Sequence, residues 1–357
     1  MEPLAVVLTI GAVQGCLLVA FVLLLAGNRV RSRRAAARAG RGELAVTAAM
    51  QAWLLDQASI DPLLEALRRA PMDTALEQVV VAMSARVPPE RQPALVAALR
   101  PQWWVRDVLA RGLSWRWTER LRTARLLGAL GTPADEAVVR RFLRDPHPAV
   151  RAAVVPAIAR VGTPSLIGAV LDGLSRQTTV VRYLVGGVLQ QSRGPLVLAL
   201  RERLAHEGAA DRDLATWIDL AVATRDADLL AMAARMSEHP ELEVRAAATR
   251  ASGQWFHPEA ERRLHARLGD AMPPVRALAA RGLGILGLPD AVPLLRAALA
   301  DADWWVRFRA SLALALLGDA GRAALRQAQD GTDRYAADMA RMISGLPPGV
   351  LRELAES

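Results

Sequence analysis

The sequence predicts an all-α protein, a solenoid of paired helices, and three observations carry that prediction. From residue 43 onward apolar residues recur at helical spacing, and no stretch alternates in the manner of a strand. Gly, Pro and Asp interrupt the pattern at short intervals, dividing it into helices of a few turns each. Those interruptions recur at a fixed distance, which is the mark of a repeat array.

Ahead of the array, residues 4–26 (LAVVLTIGAVQGCLLVAFVLLLA) carry no charge. At about 1.5 Å per residue such a helix is roughly 35 Å long, enough to cross a bilayer. The predicted anchor occupies residues 1–27, and its Met-Glu-Pro start and long apolar core argue against a cleavable signal. Arg29, Arg31, Arg33 and Arg34 follow it, with Arg38 and Arg41, in an Arg-rich linker over residues 28–42. The positive-inside rule then places the N-terminus outside and the body in the cytoplasm, on the inner membrane if the source is bacterial. The same arginines are candidates for contact with anionic headgroups. Gly11, Gln14 and Gly15 form a small-residue face with one polar group, the pattern that packs one transmembrane helix against another.

All 45 basic residues are Arg, and this bias, with abundant Ala and Leu, looks like a GC-rich bacterial coding sequence. The net charge of +9 is concentrated in the linker, so the rest of the chain is nearly balanced. That balance argues against a nucleic-acid groove, whose affinity rests on uncompensated cations. The sole cysteine, Cys16, lies inside the apolar run, which rules out an internal disulfide and a cysteine-based zinc site.

The repeat is clearest in three segments, DPHPAVRAAVVPAIARVGTP at 145–164, DAMPPVRALAARGLGILGLP at 270–289 and DADWWVRFRASLALALLGDA at 301–320. In each an Asp precedes an Arg by six residues, and a Gly follows that Arg by eleven. Taking the Arg as anchor gives Arg120, Arg151, Arg182, then Asp213 in a degenerate copy, then Arg245, Arg276 and Arg307, each 31 or 32 residues from the last. Gly131, Gly162, Gly287 and Gly318 close the first helix, where a left-handed residue is expected. Leu127, Ile158, Leu283 and Leu314 are each followed by a small residue, Gly128, Ala159, Gly284 and Ala315, so that one helical layer can seat against the next.

These segments resemble the short, bilin-lyase-type HEAT repeats, and the resemblance covers residues 115–330. It implies helix pairs about 31 residues apart and an Asp–Arg ladder between neighbouring repeats, assigned as Asp145 with Arg151, Asp270 with Arg276 and Asp301 with Arg307. Residues 43–114 read as divergent repeats that cap the array, and residues 331–357 as a closing helix and a short tail.

No catalytic group, cofactor site or metal site is expected. His147, His239 and His257 each flank a Pro in a turn, and only His206-Glu207 matches the His-Glu pairs that a HEAT-type hydroxylase would need around two irons. A bilin-lyase-like enzyme and a DNA-glycosylase-like duplex binder are the alternatives within the resemblance, and repeat pattern alone transfers neither activity. The expected role is a scaffold that binds a protein partner. The layout of one span followed by HEAT repeats resembles accessory components of bacterial envelope-polysaccharide systems, which implies a membrane-associated enzyme such as a family 2 glycosyltransferase. Trp103, Trp104, Trp115, Trp117, Trp304 and Trp305 are the candidate partner-binding residues, because Trp beside Arg is a frequent interface anchor.

Overall fold

The computed structural model describes residues 29, 36–206 and 208–356. The apolar run lies outside these residues, as do Gly11, Gln14, Gly15, Arg31, Arg33 and Arg34. Among the described residues every element is helical, and no helix is long and apolar enough to cross a membrane.

The chain forms two compact units, residues 1–161 and 162–357. The first contains α1 (36–54), α2 (Asp61–Arg69), α3 (Met72–Val81), α4 (Gln92–Leu99), α5 (Trp103–Ala110), α6 (Trp117–Leu130), α7 (Glu136–Phe142) and α8 (Pro148–Val161). The second contains α9 (Pro164–Leu174), α10 (Thr179–Gln190), α11 (Arg193–Leu204), α12 (Asp211–Thr224), α13 (Ala227–Ala234), α14 (Leu242–Ser252), α15 (Pro258–Arg267) and α16 (Pro273–Leu286). It continues with α17 (Val292–Ala298), α18 (Trp304–Leu316), α19 (Gly318–Gln329), α20 (Arg334–Ser344) and α21 (Pro348–Glu356).

Two boundaries differ from the sequence reading. Residues 36–54 are helical, so the last seven residues assigned to the linker belong to α1; Val46 and Met50 bury one face of the same helix. The predicted tail is helix α21, where Leu351 and Leu354 pack on the C-terminal core and the Leu354 carbonyl accepts from Arg309 Nη1 at 2.9 Å. Pro348 opens that helix, a position where the missing N–H costs nothing.

Each anchor Arg is the fourth residue of a first helix: Arg120 on α6, Arg151 on α8, Arg245 on α14, Arg276 on α16 and Arg307 on α18. Leu127, Ile158, Leu283 and Leu314, two turns on, are fully buried. The small residues beside them set how closely first helices approach. A Cβ on Gly284 would lie 2.7 Å from Ala313 Cβ and 2.9 Å from its Cα, and one on Gly253 would lie 2.7 Å from Gly282 Cα. Gly284→Val is therefore expected to lower the unfolding free energy by about 2 kcal/mol, the cost of overpacking against backbone. Thermal melting of Gly284→Val beside the Gly284→Val, Ala313→Gly pair checks this, because removing the opposing Cβ returns part of the loss.

Gly162, Gly287 and Gly318 have φ of 59°, 69° and 67°, in the left-handed region. Gly131 does not: its φ is −59°, because the chain turns straight into the Thr132–Asp135 capping box. Glycine is required there for room instead, since a Cβ would stand 2.5 Å from the Leu127 carbonyl oxygen.

Candidate binding surface

The chemistry that recurs at the complete anchors is a guanidinium clamp. In α8, Arg151 Nη1 donates to the carbonyls of Asp145 and Pro146 at 2.8 and 3.1 Å. Arg276 does the same to Asp270 and Ala271 at 2.9 and 3.2 Å, and Arg307 to Asp301 and Ala302 at 2.7 and 2.9 Å. The anchor Arg thus ties its helix to the turn that leads into it.

The other edge of the guanidinium reaches the next repeat, and this corrects the assigned pairs. Asp145 does not pair with Arg151; its carboxylate takes Arg120 Nε and Nη2 at 2.7 and 3.0 Å. Asp270 does not pair with Arg276 but with Arg245, at 2.9 and 3.3 Å. Asp301 does not pair with Arg307 but with Arg276, at 2.7 and 2.8 Å. Each pair spans 25 residues. The physical reason lies in the turn: the Asp carboxylate also accepts the backbone N–H two residues on (His147, Met272 and Asp303), which directs it away from its own helix and toward the preceding repeat.

These rungs are nearly buried, and fork-to-carboxylate geometry makes them strong. Arg120 holds the Asp145 carboxyl below the usual range, helped by the His147 N–H, and Arg276 does so for Asp301. Burial pushes Asp270 up, but the Met272 N–H and Arg245 together outweigh it. A carboxylate depressed in the folded state contributes stability above its unfolded pKa of about 3.9 and loses it as pH falls through the folded value. Melting temperature is therefore expected to hold from pH 7 to about pH 5 and to fall steeply below about pH 4. Melts over that range check it, with Asp301→Asn showing the shallower acid limb.

Outside the complete rungs the pattern breaks. Twenty-five residues after Arg151 stands Arg176, and the degenerate anchor Asp213 accepts instead from the Ser175 hydroxyl. His239 fills the turn position before Arg245, its carbonyl accepting from Arg245 Nη1 at 2.9 Å. Nδ1 of His147, His239 and His257 each accepts a backbone N–H two residues on, at 3.1 to 3.2 Å, so all three act as turn and helix-start residues.

The tryptophans divide. Trp103 is 60% exposed while its neighbour Trp104 is 3% exposed, inside the N-terminal core. Trp104 is thus removed from the candidate partner-binding residues: helix α5 turns successive side chains by about 100°, and the turn that leaves Trp103 outside carries Trp104 into the N-terminal core. Trp115 is 84% exposed and carries Arg116 over its ring at 5.1 Å. Trp117 stacks on His147 with centroids 4.0 Å apart. Trp304 and Trp305, both exposed, meet edge to face at 4.8 Å, and Trp304 stacks on Phe308 at 5.1 Å. The Trp103 and Trp304 groups belong to different units.

A cavity of about 680 Å³ in the first unit is lined by Trp115, Arg120, Arg140, Arg141, Arg144 and Asp145. Its wall is basic, which suits an anionic group, but Arg120 is committed to Asp145 and Arg140 to Glu136 at 2.8 Å. Among the described residues no group of His, Cys, Asp and Glu is placed to hold a metal ion. Sequence reasoning overlooked Arg120 and Arg245 as rung partners, although both stood in the anchor series.

Short helices in a 31-residue register, linked by recurring ion pairs, define a helical repeat protein. The family model for HEAT repeats matches residues 112–190, 227–315 and 263–342, more than half of the chain. The chain belongs to the HEAT-repeat family.

No curated protein matches the sequence at a significant level. Among solved structures, the karyopherin Kap121p bound to the extreme C-terminus of the protein phosphatase Cdc14p is similar over 83% of this chain and 40% of that one, with 11% identity and a TM-score of 0.50. Human deoxyhypusine hydroxylase matches over 88% of this chain and 97% of its own, with 20% identity and a TM-score of 0.28. The CpcE–CpcF complex of phycocyanin lyase from Nostoc sp. PCC7120 matches over 82% and 96%, with 18% identity and a TM-score of 0.27. At these identities the likeness concerns the fold alone.

Proposed function

We propose that the chain is a membrane-anchored HEAT-repeat adaptor, held on the cytoplasmic face of a bacterial inner membrane, that docks a membrane-associated enzyme through its helical array. The observation that carries the reading is the exposure of Trp103, Trp115, Trp304 and Trp305 beside arginines on a repeat fold. Repeat arrays present extended surfaces, and exposed Trp and Arg are the residues that most often anchor partners. The anchor rests on the uncharged run at 4–26 and the arginines after it. Gly11, Gln14 and Gly15 would pack that span on a partner's helix. The partner is a processive family 2 glycosyltransferase of an envelope-polysaccharide system, a choice supported by likeness of layout. The protein has no catalytic step of its own in this reading.

The test is cross-linking in native membranes followed by purification of the full chain. The expected result is recovery of a glycosyltransferase, lost in a Trp304→Ala, Trp305→Ala variant whose melting temperature is unchanged. Recovery of no membrane enzyme, or equal recovery with the variant and with Trp103→Ala and Trp115→Ala, would overturn the proposal.

A further inference from the structure

The last anchor of the array is built like Arg276 and lacks the carboxylate that Arg120, Arg245 and Arg276 hold. Arg276 clamps its turn through Nη1 and gives Nε and Nη2 to Asp301 of the next repeat. Arg307 makes the same clamp, with Nη1 on the carbonyls of Asp301 and Ala302. Where the next repeat would bring an Asp, 24 or 25 residues on, the chain has Gly331 and Thr332. Arg307 is only 9% exposed, and its Nε is buried with no acceptor among the described residues. The Tyr335 ring, itself exposed, covers the guanidinium at 5.3 Å.

A buried guanidinium edge without an acceptor is costly, and the cost is removed by a carboxylate in the fork. The complete rungs show which carboxylate fits: an Asp whose own turn supplies a further N–H to the same group. We propose that the Arg307 fork is a docking site for an Asp-bearing turn of the partner protein, which completes the ladder across the interface after Tyr335 swings aside. The proposal takes its partner from the adaptor reading, but the site is tested without that partner.

The probe is a capped peptide of the chain's own rung turn, LGDAMPP (268–274), labelled and titrated against the purified full chain in detergent. Its twin, with the Asp replaced by Asn, is the control. Binding is expected to weaken at least about tenfold with the Asn peptide and with Arg307→Gln. Arg307→Lys should lose most of the affinity, since an ammonium cannot match the fork. Tyr335→Ala should tighten binding several-fold by uncovering the site, and it keeps the test open if Arg307→Gln fails to fold. Arg151→Gln should leave binding unchanged. Equal binding of the two peptides, or a loss that follows Arg151 rather than Arg307, would overturn the proposal. Those results leave the native-membrane recovery untouched, so the two failures are distinguishable.

Discussion

Replacing Arg276 with Gln is expected to lower the unfolding free energy by about 3 kcal/mol, because it leaves the nearly buried Asp301 carboxylate without its fork and unclamps the Asp270 turn. In a unit of this size that corresponds to a fall in melting temperature of about 6–10 °C. The loss has two parts, which a second variant separates. Asp301→Asn keeps an acceptor of similar shape for Arg276 and leaves the Arg276 clamp in place, so it should cost about half as much. Thermal and urea unfolding of the two variants check the order, and an exposed residue such as Arg334 replaced by Gln should change little.

The second large effect falls on a residue that its neighbour's identity conceals. Trp104→Ala removes a side chain enclosed by the N-terminal core, beside Leu99, Val105 and Val108 of the same cluster, and is expected to cost about 3–4 kcal/mol. Trp103→Ala on the outer face should fall within about 0.5 kcal/mol of the parent. Trp104→Phe should recover most of the loss, since the Trp104 indole N–H is buried without an acceptor among the described residues and its removal leaves no polar group stranded. Chemical unfolding followed by circular dichroism distinguishes all three. A Trp103→Ala loss as large as that of Trp104→Ala would reverse the assignment of faces.

Much of the fold was legible because a repeat states its period in letters: the anchor arginines, the large-small pairs and the closing glycines are local and recur. What was not legible required direction as well as spacing. Asp301 is six residues from Arg307 and twenty-five from Arg276, and only the turn, which aims the carboxylate backward, decides that the distant Arg is the partner. Gly131 shares its offset with three left-handed glycines, yet the capping box after it selects another conformation. The two residues of each Trp pair are identical in sequence terms, so their exposure follows from helix phase relative to a core that the sequence does not display. The segment before residue 112 folds as helices whose core runs on into α6 although its repeat signature has worn away, because amphipathic spacing outlasts residue identity.

The central structural claim is that the ladder runs between repeats, and a pair of double-mutant cycles tests it most directly. One cycle combines Arg276→Gln with Asp301→Asn, the other Arg307→Gln with Asp301→Asn. The inter-repeat pair is expected to show a coupling of at least about 1 kcal/mol, and the same-repeat pair a much smaller one, since Arg307 touches the Asp301 carbonyl and not its carboxylate. A coupling concentrated in Arg307 with Asp301 would contradict the account and return the pairing to a single repeat.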